Sequence, residues 1–187
     1  LDKMKQALMN EKENSKAIEF YLLIHANELA KASNTGQLLK DLSVPLSIGE
    51  WSRVKEPVDL MNRIKSPAHK VVLVFPSEFA TYQQDTGISQ PEKQPVTTYV
   101  LIDGTWQQAR KIYRKSPYLH QLPLEFLNVD RKSVYTLRRN QQEKGLCTAE
   151  VAACILEQEG LLDESDILMQ KLVSFCENFH SKSPATA

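Results

Sequence analysis

Asp103 stands where a carboxylate can do chemistry: after the apolar-rich run Thr97 to Ile102 (TTYVLI) and directly before Gly104 and a helix start at Thr105. At the end of a buried strand it can act as a general base or orient a substrate. An Asp beside a Gly is equally an ordinary turn pair. Thr148 and Glu150 open a second helix, where a hydroxyl and a carboxylate either meet a ligand or serve as cap and dipole partners. Tyr135 to Arg139 (YTLRR) sets Arg138 and Arg139 after a strand-like run, facing an anion or simply solvated.

The commoner chemical signatures are missing. No G-x-G-x-x-G, Walker A, H-E-x-x-H or G-x-S-x-G pattern occurs in the 187 residues. Cys147, Cys154 and Cys176 make an odd count without a close pair, which argues against a disulfide framework and reads as buried thiols. The four histidines, His25, His69, His120 and His180, are scattered and no C-x-x-C exists, so no metal site is expected. Net charge is zero, but the charge is unevenly spread. Gln107 to Lys144 holds nine Lys/Arg against three Asp/Glu, and Glu150 to Glu177 holds seven Asp/Glu against one Lys. A basic middle and an acidic end suit a chain that offers one face to a polyanion, although two solvated helix faces give the same count.

The elements that position these residues follow from periodicity. Ile18 to His25, Val71 to Phe75 and Thr97 to Ile102 are short apolar runs that read as buried strands. Glu28 to Asp41 has helical composition broken by the turn signal Ser33-Asn34-Thr35-Gly36. Val58 to Lys65 is a short helix. Trp106 to Lys115 is a second, started by a capping-box pair, Thr105 and Gln108. At 3.6 residues per turn Trp106, Ala109, Ile112 and Tyr113 share one side, and Arg110, Lys111, Arg114 and Lys115 the other. Glu125 to Val129 and Ser133 to Leu137 are strand candidates, Gln83 to Pro95 a long surface loop, and Thr148 to Glu159 and Ile167 to Phe179 amphipathic helices. Short strands alternating with helices predict an α/β fold with a mostly parallel sheet flanked by helices. Ligands then bind beyond the carboxyl ends of the strands, after His25, at Phe75-Pro76-Ser77-Glu78, and at Asp103 to Trp106. Residues 1–17 read as a polar N-terminal extension, 18–180 as one catalytic domain and 181–187 as a tail. The extension lacks the apolar centre of a signal peptide, and no apolar run approaches the roughly 20 residues of a membrane helix. A cytoplasmic protein without membrane attachment is expected, with a monomer favoured over a homodimer.

Leu101 to Lys111 (LIDGTWQQARK) resembles the signature of the DTW-domain family, named for its Asp-x-Thr-Trp motif. Five further blocks resemble that family's and come in the same order. They are Ser33 to Leu38 (SNTGQL), Val72 to Ala80 (VLVFPSEFA), Lys115 to Leu119 (KSPYL), Tyr135 to Arg138 (YTLR) and Cys147 to Ala152 (CTAEVA). Six blocks in order, over most of the chain, are a specific signal. Many bacterial members carry a cysteine-rich cluster upstream of the first strand; no cysteine precedes His25 here.

The resemblance implies a SPOUT-like α/β fold with a C-terminal trefoil knot that holds S-adenosyl-L-methionine. The implied reaction is transfer of the 3-amino-3-carboxypropyl group to N3 of a tRNA uridine, releasing methylthioadenosine. An rRNA substrate, methyl transfer, or a non-catalytic RNA-binding module are the alternatives. Asp103, Thr105 and Trp106 are the expected catalytic group, with Asp103 taking or directing the N3 proton and Trp106 closing the pocket or packing the helix start. Cofactor contacts are expected from Pro76, Ser77, Glu78, Leu101, Asp103, Gly104, Leu137, Arg138, Cys147, Thr148 and Glu150. Contacts to tRNA are expected from Asn34, Thr35, Arg110, Lys111, Arg114, Lys115, Arg131 and Arg139, with Lys132 beside them.

Overall fold

The structure, a computed structural model, describes residues 17–84, 96–127, 133–137 and 145–182. Strand β1 (Ala17–His25) leads through helix α1 (Ala26–Leu29) and a 3-10 turn (Thr35–Asp41) to β2 (Leu46–Trp51). Helix α2 (Val58–Lys65), β3 (His69–Val74), a 3-10 turn (Ser77–Phe79) and β4 (Val96–Asp103) follow. Helix α3 (Trp106–Lys115), a 3-10 turn (Pro117–Leu119) and β5 (Leu124–Glu125) complete the sheet; α4 (Thr148–Gln158) and α5 (Leu162–Lys182) close the chain. The five strands lie in the order β2-β1-β4-β3-β5, and every pairing is parallel.

The near-continuous apolar runs of β1 and β4 are those of strands covered on both faces. Alternation divides them. Phe20, Leu22, Tyr99 and Leu101 pack into one core with the 3-10 turn Thr35–Asp41, α4 and α5. Tyr21, Leu23, Val71, Leu73 and Val100 pack into a second core with Leu60 of α2 and Ala109, Ile112 and Tyr113 of α3. Both follow from the two-residue period of a strand. Parity therefore turns Asp103 toward the α4 side and His25 toward the α3 side.

This winding opens a crevice at the carboxyl edge of the sheet. β1 and β4 are neighbours, with Ile24 opposite Asp103 at the carboxyl edge. The chain leaves β1 along the first core to reach β2, and leaves β4 through α3 on the second core to reach β5. Adjacent strands whose connections depart in opposite directions leave a crevice between them, where α/β sheets bind ligands. Asp103 lies at its mouth.

Several expectations hold. Helix α2 spans Val58–Lys65 and α3 spans Trp106–Lys115; the Thr105 hydroxyl accepts from the Gln108 N–H and the Gln108 side chain accepts from the Thr105 N–H. All three cysteines are free and buried. Others need correction. β2 carries no clear strand signal: Gly49 lowers it, yet the Tyr21 ring lies across that position and leaves no room for a Cβ. Ser133 to Leu137 is not a strand but irregular chain held by side-chain bonds. The Glu125 to Val129 strand shrinks to Leu124–Glu125, with Phe126 and Leu127 irregular and 128–129 outside the described residues. Phe75 lies past the end of β3, and α5 runs from Leu162 to Lys182, into the expected tail. The extension at 1–16 and most of the loop at 83–95 lie outside the described residues.

Candidate active site

Three segments far apart in sequence meet at Asp103. Its carboxyl is 5% exposed, and Oδ1 accepts the Thr148 hydroxyl from the first turn of α4 at 2.7 Å. Oδ2 is buried and accepts no well-formed hydrogen bond, with the Asn34 side chain beside it favouring its charged form. Beside it lies Gly36, where a Cβ would stand 2.7 Å from Oδ2 and 3.1 Å from the Asn34 Oδ1. Glycine is needed there for space. Asn34 holds the turn by accepting from the Gly36 N–H at 2.7 Å and donating to the Glu28 carbonyl at 3.0 Å. Burial pushes the Asp103 carboxyl above its ordinary value, the Thr148 and Asn34 side chains oppose that shift, and the charge of nearby Glu28 adds to it. A buried carboxylate oxygen without a partner is costly, and at a strand end in a crevice it makes Asp103 a candidate site residue.

Glu150 builds the frame around it. This carboxylate is 2% exposed and accepts from the Ser133 hydroxyl (2.7 Å), the Val134 N–H (2.6 Å) and the Cys147 N–H (2.7 Å). The Tyr135 hydroxyl donates to the Ser33 carbonyl at 2.9 Å, and the Ala149 N–H to the Thr35 hydroxyl at 3.4 Å. Residues 133–137, the 33–36 turn and the start of α4 are thereby stitched around Asp103. The Cys147 thiol is pushed up to about 12 by burial and by the Glu150 charge, so it is neither a nucleophile nor a thiolate ligand at neutral pH.

On the other side of the crevice Trp106 packs among aromatics. It stacks on Phe75 (5.8 Å between centroids) and meets Phe79 edge-on (4.8 Å), with the Arg110 guanidinium 5.3 Å above the Phe79 ring. Pro76, Ser77 and Glu78 are exposed beyond β3, and Phe79 carries that turn onto Trp106. Leu101 is buried in the first core, Leu137 is packed against it, and Gly104 links Asp103 to the α3 cap. Arg110, Lys111, Arg114 and Lys115 are all exposed along α3. Arg131, Lys132, Arg138 and Arg139 lie outside the described residues. No group of His, Cys, Asp and Glu suited to a metal occurs among the described residues. Glu28 was not foreseen; its proximity to Asp103 depends on the sheet bringing residues 28 and 103 together, and no local signal reveals that.

Two outcomes are expected. Glu150→Ala strands three donors and should lower stability by about 1–3 kcal/mol, with faster amide exchange at Val134; unchanged exchange there would break the account of the frame. Asp103→Asn keeps an acceptor for Thr148 and removes the ionisation. Because folding raises the Asp103 pKa, ionising it costs stability as pH rises from the ordinary carboxylate range through the folded value. The variant should therefore melt higher than the parent at pH 7, with the gap closing at low pH. A gap independent of pH would contradict the burial argument.

The sequence matches the DTW domain over residues 3–180. A Drosophila melanogaster protein, tRNA-uridine aminocarboxypropyltransferase 2, is 34% identical over 119 residues, 63% of this chain and 45% of that protein. A Mus musculus protein of the same name is 27% identical over 164 residues, 83% of this chain and 53% of that protein. The chain thus spans about half the length of the curated relatives it matches. No solved structure matches it. With the domain match running across nearly the whole sequence, the chain belongs to the DTW-domain family.

Proposed function

We propose that this chain transfers the 3-amino-3-carboxypropyl group of S-adenosyl-L-methionine to N3 of a uridine in tRNA. The observation that carries this reading is the unpartnered Oδ2 of Asp103, buried at the switch point of the sheet beside Gly36. The family and the names of its relatives supply the substrate class.

The described residues suit both substrates. Gly36, Thr148 and the first turn of α4 flank Oδ2 on one side, where the positive end of the helix dipole favours a carboxylate such as that of an amino-acid moiety. Glu150 positions that turn through Cys147 rather than meeting the donor itself. When bound, the donor supplies a sulfonium-activated carbon: the N3–C bond forms as the C–S bond breaks, its electron pair stays on sulfur, and neutral methylthioadenosine leaves. Asp103 Oδ2 takes the N3 proton, a role suited to a carboxylate whose proton affinity burial has raised. The aromatic layer of Phe75, Phe79 and Trp106 keeps water from one wall of the crevice. Arg110, Lys111, Arg114 and Lys115 supply phosphate contacts along α3, and a tRNA loop supplies an unstacked base. The SPOUT-like arrangement with a C-terminal knot is part of the same reading.

The test is to incubate the chain with unmodified tRNA and the donor and to analyse the nucleosides by mass spectrometry. A uridine carrying the added aminocarboxypropyl mass, with methylthioadenosine released, is expected. In Asp103→Asn the product should fall by at least about 100-fold, the lower range for loss of a positioned acid or base. A methylated nucleoside with S-adenosylhomocysteine would overturn the reaction, and full activity of the variant would overturn the role of Asp103.

A further inference from the structure

The α3 side of the same sheet edge carries an aromatic pair, His25 and Trp51, that the reaction above does not use. His25 ends β1, one residue beyond the Ile24 that pairs with Asp103. Its ring stacks on Trp51, the last residue of β2, with centroids 5.7 Å apart and planes 28° from parallel. Both rings are held. The His25 Nδ1 accepts from the Asn27 N–H at 3.3 Å, which orients the imidazole. The Trp51 Nε1 donates to the Ser116 hydroxyl at 2.9 Å, and Trp51 is only 8% exposed. The Lys111 ammonium lies 5.7 Å from the Trp51 ring centroid while its side chain stays exposed. The connection that leaves Trp51 presents Arg53 and Lys55, both exposed.

This is a fixed aromatic surface with the Lys111 ammonium beside it, half open, at the mouth of the crevice that holds Asp103. A nucleotide needs those two things from a protein that binds single-stranded RNA: a flat ring for the base and positive charge for its phosphate. The buried Trp51 is the support, and His25 is the ring that a base can reach. Parity sets the geometry: Asp103 turns to the α4 side and His25 to the α3 side, so one nucleotide cannot use both in the same way.

We propose that His25, backed by Trp51 and flanked by Lys111, is the stacking platform for a nucleotide adjoining the target uridine. This rests on the reading of RNA as the substrate. It places the donor and the target base at Asp103 and the adjoining nucleotide on the α3 side, and makes His25 a specificity residue and not a proton carrier.

The alternative role of His25 is that of a helix cap, and two substitutions separate the roles. His25→Phe keeps the ring and loses the cap; His25→Asn keeps a capping side chain and loses the ring. Equilibrium binding of an unmodified tRNA transcript and of the donor alone would be measured for each, with kcat and KM for transfer. Loss of one stacking contact should weaken tRNA binding about tenfold. His25→Asn is expected to show that loss in Kd and KM, with kcat and donor binding close to the parent. His25→Phe should retain tRNA binding. Lys111→Ala should weaken binding and reduce the log–log salt slope by about 1. If His25→Asn binds tRNA like the parent, or Phe fails where Asn succeeds, the platform is overturned while the transfer reaction stands. If the parent binds RNA and His25→Asn loses that binding, yet no aminocarboxypropyl product forms, the platform stands and the reaction falls. A parent chain that binds no RNA overturns both.

Discussion

The structure depends on keeping one carboxylate oxygen dry and unpartnered. Asp103 gives one oxygen to Thr148 and leaves the other against Gly36, where a methyl group would not fit. A buried carboxylate with half its hydrogen-bonding capacity unused is unfavourable in isolation, so neighbouring groups must hold it in place. β4 carries it to the edge on backbone pairing with both β1 and β3. The 33–36 turn and the α4 start are then fixed around it: Glu150 accepts from the Val134 and Cys147 N–H groups, Tyr135 donates to the Ser33 carbonyl, and Thr35 accepts from the Ala149 N–H. This division of labour explains two buried carboxylates with opposite character: Glu150 is saturated with donors and acts as a brace, while Asp103 is kept in reserve.

The two faces of the sheet differ in character. On the first core lie the glycine turn and a helix start, small and polar features beside Asp103. On the second lie Phe75, Phe79, Trp106 and Trp51, with cations of α3 over the Phe79 and Trp51 rings. The parallel winding makes this possible, since neighbouring strands whose connections leave in opposite directions present both faces at one crevice.

Much of this was legible in the sequence because it rests on local rules. Helix α3 and its Thr105–Gln108 cap, the start of α4, and the buried strands follow from periodicity and capping chemistry. What was missed depends on contacts distant in sequence. β2 was invisible because Gly49 weakens a six-residue strand whose justification is a tyrosine 28 positions earlier. Residues 133–137 imitate a strand in composition, but their partner is the Glu150 side chain and not another backbone. Thr148 and Glu150 read in the sequence as caps or as ligand contacts; Glu150 accepts from the nearby Cys147 N–H, and Thr148 donates to Asp103, a partner that only the fold brings near. Trp106 packs between Phe75 and Phe79, so its expected packing role is present whatever else it does.

The central claim is that Asp103 Oδ2 holds the proton removed from the target base. Its most direct test compares two pH profiles: the carbon-13 titration of the Asp103 carboxyl in the folded chain, and the single-turnover rate of transfer to unmodified tRNA at saturating donor. The account predicts a carboxyl that titrates above the ordinary Asp range and a rate that rises with pH along the same curve. A carboxyl that titrates at its ordinary value, or a rate that stays flat while Asp103 ionises, would contradict it.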